Sequence, residues 1–154
     1  MKQDQLKRFN IRVYGLLICD DNVLLAEESV QGNNITKFPG GGLELGEGPE
    51  QCVVREFLEE TDLTVEVRSH IYTTGFFQPS AFNPEDQIVS IYYQVVLSGS
   101  GTPGEDSSYL PEQAPSTNDG ILRFRWAPLS TLEPDDVTLP IDRHVVSKCI
   151  SALR

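Results

Sequence analysis

Between residues 40 and 63 the chain reads GGGLELGEGPEQCVVREFLEETDL, and few local structures can accommodate such a run. Its first half holds too much glycine for a helix interior. Its second half predicts a helix over 49–61, with Gly48 as N-cap and Pro49 in the first turn. At 100° per residue, with Val53 at 0°, Phe57 falls at about 40°, Val54 at about 100° and Leu58 at about 140°. These four are the expected buried stripe. Glu59 falls at about 240°, Glu56 at about 300° and Glu60 at about 340° on the same wheel. The three acids are therefore expected to share one arc opposite the core.

Around this helix the strand signals are strong. Residues 10–19 (NIRVYGLLIC) and 23–26 (VLLA) flank Asp20-Asp21-Asn22 and read as a hairpin. Residues 29–36 (SVQGNNIT) read as a polar loop, and residues 63–77 are β-like with a clear alternation in LTVEVRS. Residues 78–86 form a loop with two prolines, and 87–97 (QIVSIYYQVVL) is the strongest strand pattern. A Gly-, Ser-, Pro- and acid-rich stretch over 98–120 reads as a long loop, of a length that is usually functional or disordered. A strand over 121–127 and a helix from about 141 to 153 complete the order. Strands, helix, strands, helix predict an α/β or α+β chain with a mixed sheet.

The 154 residues fit one domain, expected to span 1–154. Twelve basic and 23 acidic residues give a net charge of −11. Such a surface repels nucleic acid and anionic lipid at long range, so neither DNA nor membrane is an expected partner. A small anionic substrate needs local neutralisation, and a divalent cation supplies it. Three widely spaced cysteines without a C-x-x-C pair argue against a disulfide framework and for a reducing compartment. With no apolar targeting segment in MKQDQLKRFN, a cytoplasmic protein is expected.

The acidic arc of the helix has two readings. It is either a solvated face of an acidic protein or a hard-cation site with oxygen ligands for Mg²⁺ or Mn²⁺. The glycines from Gly40 to Gly42 let backbone groups approach an ion or phosphate closely. Glu47 stands at the helix mouth, and Arg55 can reach back to it in a guanidinium–carboxylate pair that fastens loop to helix.

At these positions the segment resembles the Nudix box, G-x5-E-x7-R-E-U-x-E-E-x-G-U with U a bulky apolar residue. Gly41, Glu47, Arg55, Glu56, Phe57, Glu59, Glu60 and Leu63 fit the pattern. FPGGGLE before the box and RFRWAPLSTL after it resemble the family more loosely. The one departure is Asp62, where the family has glycine. A left-handed helix end is expected there, and aspartate enters that region at a cost of roughly 1–2 kcal/mol.

The resemblance implies a Nudix-type α/β/α sandwich with a mixed β-sheet. It implies Mg²⁺-dependent (or Mn²⁺-dependent) hydrolysis of a nucleoside diphosphate linked to another group. Carried over, Glu56, Glu59 and Glu60 are the metal ligands and the Gly40 carbonyl an additional one. Arg55 and Glu47 are the orienting pair, and Glu56 or Glu59 is the base that takes a proton from water. Arg12, in the first strand, is a candidate for a phosphate and Phe77, with Tyr72 and Phe76, for a base; surface pairing and core packing are their alternative roles. Glu112, with Glu105 and Asp119, can supply an outer ligand or a base from the long loop, or be solvated there. Trp126 is expected to pack, His70 and His144 to lie on the surface, and Cys52 to have no role.

Two substrate classes stay open, ADP-ribose or nucleotide sugars and nucleoside triphosphates, oxidised ones included. Pro79, 16 residues beyond Leu63, is similar to a proline of family members acting on ADP-ribose. Dinucleoside polyphosphates and capped RNA are further options, the last fitting the acidity least. A homodimer is left open. The rival reading is a Nudix-like domain that senses a nucleotide without cleaving it, but such domains usually have eroded box acids.

Overall fold

A computed structural model of the chain describes residues 3–98, 114–115 and 121–154. The strands are β1 (Arg8–Cys19), β2 (Asn22–Val30), β3 (Asn33–Lys37), β4 (Gly40–Gly42), β5 (Val65–Thr73), β6 (Asp86–Leu97), β7 (Ala114–Pro115) and β8 (Ile121–Pro128); the helices are α1 (Pro49–Thr61) and α2 (Pro140–Cys149). The sheet runs β5-β6-β1-β2-β8-β7, with β3 added to β2 and β4 to β1. Among the described residues only β1 and β6 pair in parallel, and the other ladders are antiparallel. The expected mixed sheet is therefore present.

Strand β1 shows how the two faces are divided. Val13, Leu17 and Cys19 point to one side, where Cys52, Val53 and Phe57 of α1 close a core. Tyr14 and Leu16 point to the other, where Ile141, Val145 and Val146 of α2 close a second core. A strand buried on both faces reads as a continuous apolar run, which is what residues 13–19 show. Gly15 sits on the α1 side, where a Cβ would stand 2.5 Å from the Phe57 ring, so its missing side chain sets the depth of that packing.

Two expectations change. The polar stretch 29–36 is no loop: β2 continues to Val30, turns at Gln31 and Gly32 with both φ positive, and returns as β3. Such a two-residue turn matches the twist of the strands it joins, and it buries Ile35 and Lys37. The glycines from Gly40 to Gly42 also form a strand, paired with β1 in the register Arg12↔Gly42, Val13↔Gly41 and Tyr14↔Gly40. The expected loops over 98–120 lie almost wholly outside the described residues. No helix of the described residues is long and apolar enough to cross a membrane.

Candidate active site

Helix α1 begins and ends as its sequence predicts. The Gly48 N–H donates to Gln51 Oε1 at 2.8 Å, and Pro49 occupies the first turn. At the other end Asp62 is left-handed (φ 59°, ψ 19°) and its N–H donates to the Leu58 carbonyl at 3.1 Å. The Thr61 hydroxyl donates to the Phe57 carbonyl at 2.6 Å and accepts the Leu63 N–H at 3.1 Å. These bonds satisfy carbonyls and amides that the helix end would otherwise leave bare.

The buried arc of α1 is rotated from the expected one. Cys52, Val53, Phe57 and Thr61 are buried, whereas Leu58 is 51% exposed. Glu56 and Glu60 consequently stand at the edge of the core, and Glu59 alone projects into solvent. The cause is β4: a strand of bare glycines leaves a groove that side chains from α1 can enter. A Cβ on Gly41 would stand 2.5 Å from the Glu56 carboxylate, so the absence of a side chain there is what admits the acid.

Arg55 is the hub. Its Nε and Nη2 donate to Glu47 Oε2 and Oε1 at 2.9 and 2.7 Å, a two-point pair of the kind expected. Nη2 also donates to the Gly42 carbonyl at 3.1 Å, and Nη1 to Glu56 Oε1 at 3.0 Å and Glu59 Oε2 at 3.2 Å. One guanidinium thus joins the mouth of the helix, β4 and two of the acids. It holds the Glu47 carboxyl down at about 2, with the Glu44 N–H assisting. Cys52, for which the sequence suggests no role, lies beneath this hub, its Sγ 3.5 Å from the Gly42 carbonyl. Burial pushes that thiol up to about 12, so it is an uncharged packing group.

Glu60 differs from its neighbours. Burial and the nearby Glu56 push its carboxyl up to about 7, while Lys37 and the Gly40 N–H, 3.4 Å from Oε2, pull it back. Gly40, expected to offer its carbonyl, is recorded here through this N–H. Among the described residues no three His, Cys, Asp or Glu side chains stand together at metal-ligand spacing; the Arg55 guanidinium lies between Glu56 and Glu59 instead. The donor set still suits a hard cation, since every candidate ligand is an oxygen.

Two cavities adjoin. An acidic cleft of about 470 Å³ is lined by Gly40–Glu44, Arg55 and the three helix acids. An inner cavity of about 270 Å³ lies toward α2, walled by Tyr14, Phe82, Tyr92 and Asp142 among others. Arg12, Glu28 and Lys37 line both. The Arg12 Nε donates to the Tyr14 hydroxyl at 3.1 Å, and the guanidinium stands 5.9 Å from the Tyr14 ring centre. The Lys37 ammonium is 2.9 Å from Glu28 Oε1.

Asp142 is fully buried in α2. Its Oδ1 accepts from the Tyr92 hydroxyl, and its Oδ2 has no partner at hydrogen-bond distance among the described residues. Burial raises its carboxyl to about 6, against the pull of Tyr92 and Lys37. Sequence reading missed Asp142, yet a signal was there. It shares the apolar face of Ile141, Val145 and Val146, where an acid needs a reason to be.

The remaining candidates scatter. Phe77 is 45% exposed and lines neither cavity. Tyr72 and Phe76 instead hold His144, with ring centres 4.9 and 5.1 Å away, so His144 is half-buried in an aromatic cluster and not a bare surface residue. His70 is exposed, with Nε2 2.8 Å from Thr73 Oγ1. Trp126 packs beside the α1 core as expected. Glu105, Glu112 and Asp119 lie outside the described residues.

The sequence and fold have recognisable counterparts. The model of the NUDIX domain family matches residues 9–149. An ADP-ribose pyrophosphatase of Methanocaldococcus jannaschii is 30% identical over 118 residues, covering 70% of this chain and 66% of that protein. An 8-oxo-dGTP diphosphatase of Escherichia coli is 34% identical over 70 residues, 46% of this chain and 50% of that protein. The chain thus spans between half and two-thirds of these curated relatives. Among solved structures, a MutT NUDIX hydrolase from Burkholderia pseudomallei superposes with a TM-score of 0.65 at 18% identity, covering 92% of this chain and 98% of the other. A NUDIX hydrolase from Nitrosomonas europaea gives 0.62 at 24% identity, covering 91% and 87%. At those identities the two structures speak for the fold.

Proposed function

This chain belongs to the NUDIX domain family, and from that footing we propose that it hydrolyses a phosphoanhydride bond in a nucleoside diphosphate derivative with the help of Mg²⁺ or Mn²⁺. The observation that carries the reading is the Arg55 hub. One guanidinium draws Glu47, Glu56 and Glu59 to the rim of a cleft floored by bare backbone. A solvated acidic face does not need that convergence.

The residues divide the work as follows. Glu56, Glu59 and Glu60 would hold the cation, which when bound neutralises phosphate charge and makes water easier to deprotonate. Glu47 and Arg55 keep the acids in register with β4. Glu56 or Glu59 takes the proton of the attacking water. The water oxygen forms a bond to phosphorus as the bridging P–O bond breaks, and the bridging oxygen leaves with the second phosphate. The organic group enters the inner cavity, where the unpaired Oδ2 of Asp142 favours a ligand that donates a hydrogen bond.

Both substrate classes fit this arrangement, ADP-ribose or nucleotide sugars on one hand and nucleoside triphosphates on the other. The relatives' names include an ADP-ribose pyrophosphatase and an 8-oxo-dGTP diphosphatase. The test is a panel of nucleoside diphosphate derivatives with Mg²⁺, read by phosphate release after phosphatase coupling. Turnover of at least one member, lost in EDTA and restored by Mg²⁺ or Mn²⁺, supports the reading. A folded protein that turns over none, or one that works equally well in the chelator, refutes it.

A further inference from the structure

We propose that Lys37, held in place by Glu28, grips the substrate's diphosphate where the acidic cleft opens into the inner cavity. The inference rests on the hydrolase reading above and adds a binding residue to it.

Position comes first. Arg12, Glu28 and Lys37 are the residues common to both cavities. A substrate with its reacting phosphate among the acids and its organic group beside Asp142 must cross this seam with its diphosphate. Lys37 and Arg12 are the cations found there. They also offset the field of Glu56 and Glu60, which would otherwise repel phosphate oxygens.

Burial comes next. The side chains of Lys37 and Glu28 are 8% and 6% exposed, with Nζ and Oε1 2.9 Å apart. Burying two charges costs several kcal/mol per ion, and such a pair seldom stabilises a fold more than apolar residues of the same volume would. The pair therefore calls for a use beyond stability. Among the described residues Glu28 is the one ion-pair partner of Lys37, which leaves ammonium protons for a ligand. The Glu28 carboxylate 2.9 Å from Nζ favours the charged ammonium.

Strand geometry supplies the aim. Lys37 is opposite Ala26 in the β2–β3 ladder, so Glu28 is its diagonal neighbour on the same face. The carboxylate fixes the lysine stem, and a lysine fixed in advance loses less freedom when it binds.

The experiment compares wild type with the double variant Glu28→Gln/Lys37→Met, which removes both buried charges together. Steady-state kinetics use the best substrate of the panel, and calorimetry measures binding of ADP in Mg²⁺. The expected result is a folded protein with KM raised about 10-fold or more and ADP affinity lowered about 10-fold or more. Lys37→Arg should keep ADP affinity within about threefold. A folded double variant with wild-type KM and ADP affinity overturns the proposal, because the pair is then structural. If wild type hydrolyses nothing, the hydrolase reading fails separately. ADP binding still decides the grip, which is supported by a 10-fold loss in the double variant and overturned by equal affinities or by no binding to wild type. Should the double variant not fold, lysine labelled with ¹⁵N at Nζ in wild type replaces it: the Lys37 signal shifts on adding ADP, and an unmoved signal overturns the proposal.

Discussion

Three adjacent glycines should respond to the same substitution in three different ways. At Gly41 a Cβ would stand 2.5 Å from Glu56 Cδ and Oε1, while carbon contacts settle at about 3.5–4.0 Å. The obstructing atoms end a flexible side chain, so in Gly41→Ala the carboxylate retreats by about 1 Å. The cost to the fold is then about 1 kcal/mol or less, a fall in Tm of roughly 2–4 °C for a chain of this size. The cost to catalysis is larger, because misplacing a reacting group by about 1 Å lowers the rate on the order of 10²-fold. At Gly40 the Cβ would meet the Val13 carbonyl oxygen at 2.1 Å, with φ at +151°. Backbone cannot step aside as a carboxylate can, so Gly40→Ala should lose about 3 kcal/mol or more and express poorly. At Gly42 the nearest atom is Arg12 Nη1 at 3.6 Å, so Gly42→Ala should behave as wild type. Thermal melts and initial rates on the three variants form the assay. A folded Gly41→Ala protein with activity within threefold of wild type would refute the account of how Glu56 is seated.

Further outcomes follow from the same geometry. Arg55→Ala should lower kcat/KM about 10- to 100-fold by releasing Glu47, Glu56 and Glu59 together, and a rate within twofold of wild type would remove its orienting role. Glu59→Gln should abolish most turnover with the melting curve unchanged; retention of turnover would take Glu59 out of the catalytic set. For Asp142 the folded carboxyl is raised to about 6 from 3.8, so ionising it opposes folding. The stability it leaves intact below pH 4 is lost as pH rises through about 6. Urea unfolding of Asp142→Asn against wild type should therefore shift in the variant's favour by about 2 kcal/mol between pH 4 and pH 8. A constant difference would show that Asp142 titrates normally.

What the sequence revealed and what it hid have separate physical causes. The reach from Arg55 to Glu47 was legible because both belong to one glycine-loop-to-helix unit, eight residues apart. So was the left-handed Asp62, since a helix end is a local event. The orientation of α1 was not, because a helical wheel treats each apolar residue as core. Leu58 is 51% exposed, and the groove over β4 takes Glu56 and Glu60 to the core's edge in its place. The β2–β3 hairpin escaped notice because Gln-Gly-Asn-Asn is polar enough for a loop, and the pairing that makes it a turn is tertiary. The inner cavity had the weakest trace. Tyr92 and Asp142 meet across 50 residues, and His144 finds Tyr72 and Phe76 only once α2 docks on the sheet. No spacing in the chain encodes those meetings.

The central claim is that the acids of α1 gather a divalent cation for splitting a phosphoanhydride. Anomalous scattering from crystals soaked in Mn²⁺ with a non-hydrolysable nucleoside diphosphate analogue tests it most directly. The account predicts a peak within about 2.5 Å of carboxylate oxygens of Glu56 and at least one of Glu59 and Glu60, with the analogue's phosphate beside it. A well-ordered analogue with no peak at those acids, or with manganese bound elsewhere on the chain, would contradict it.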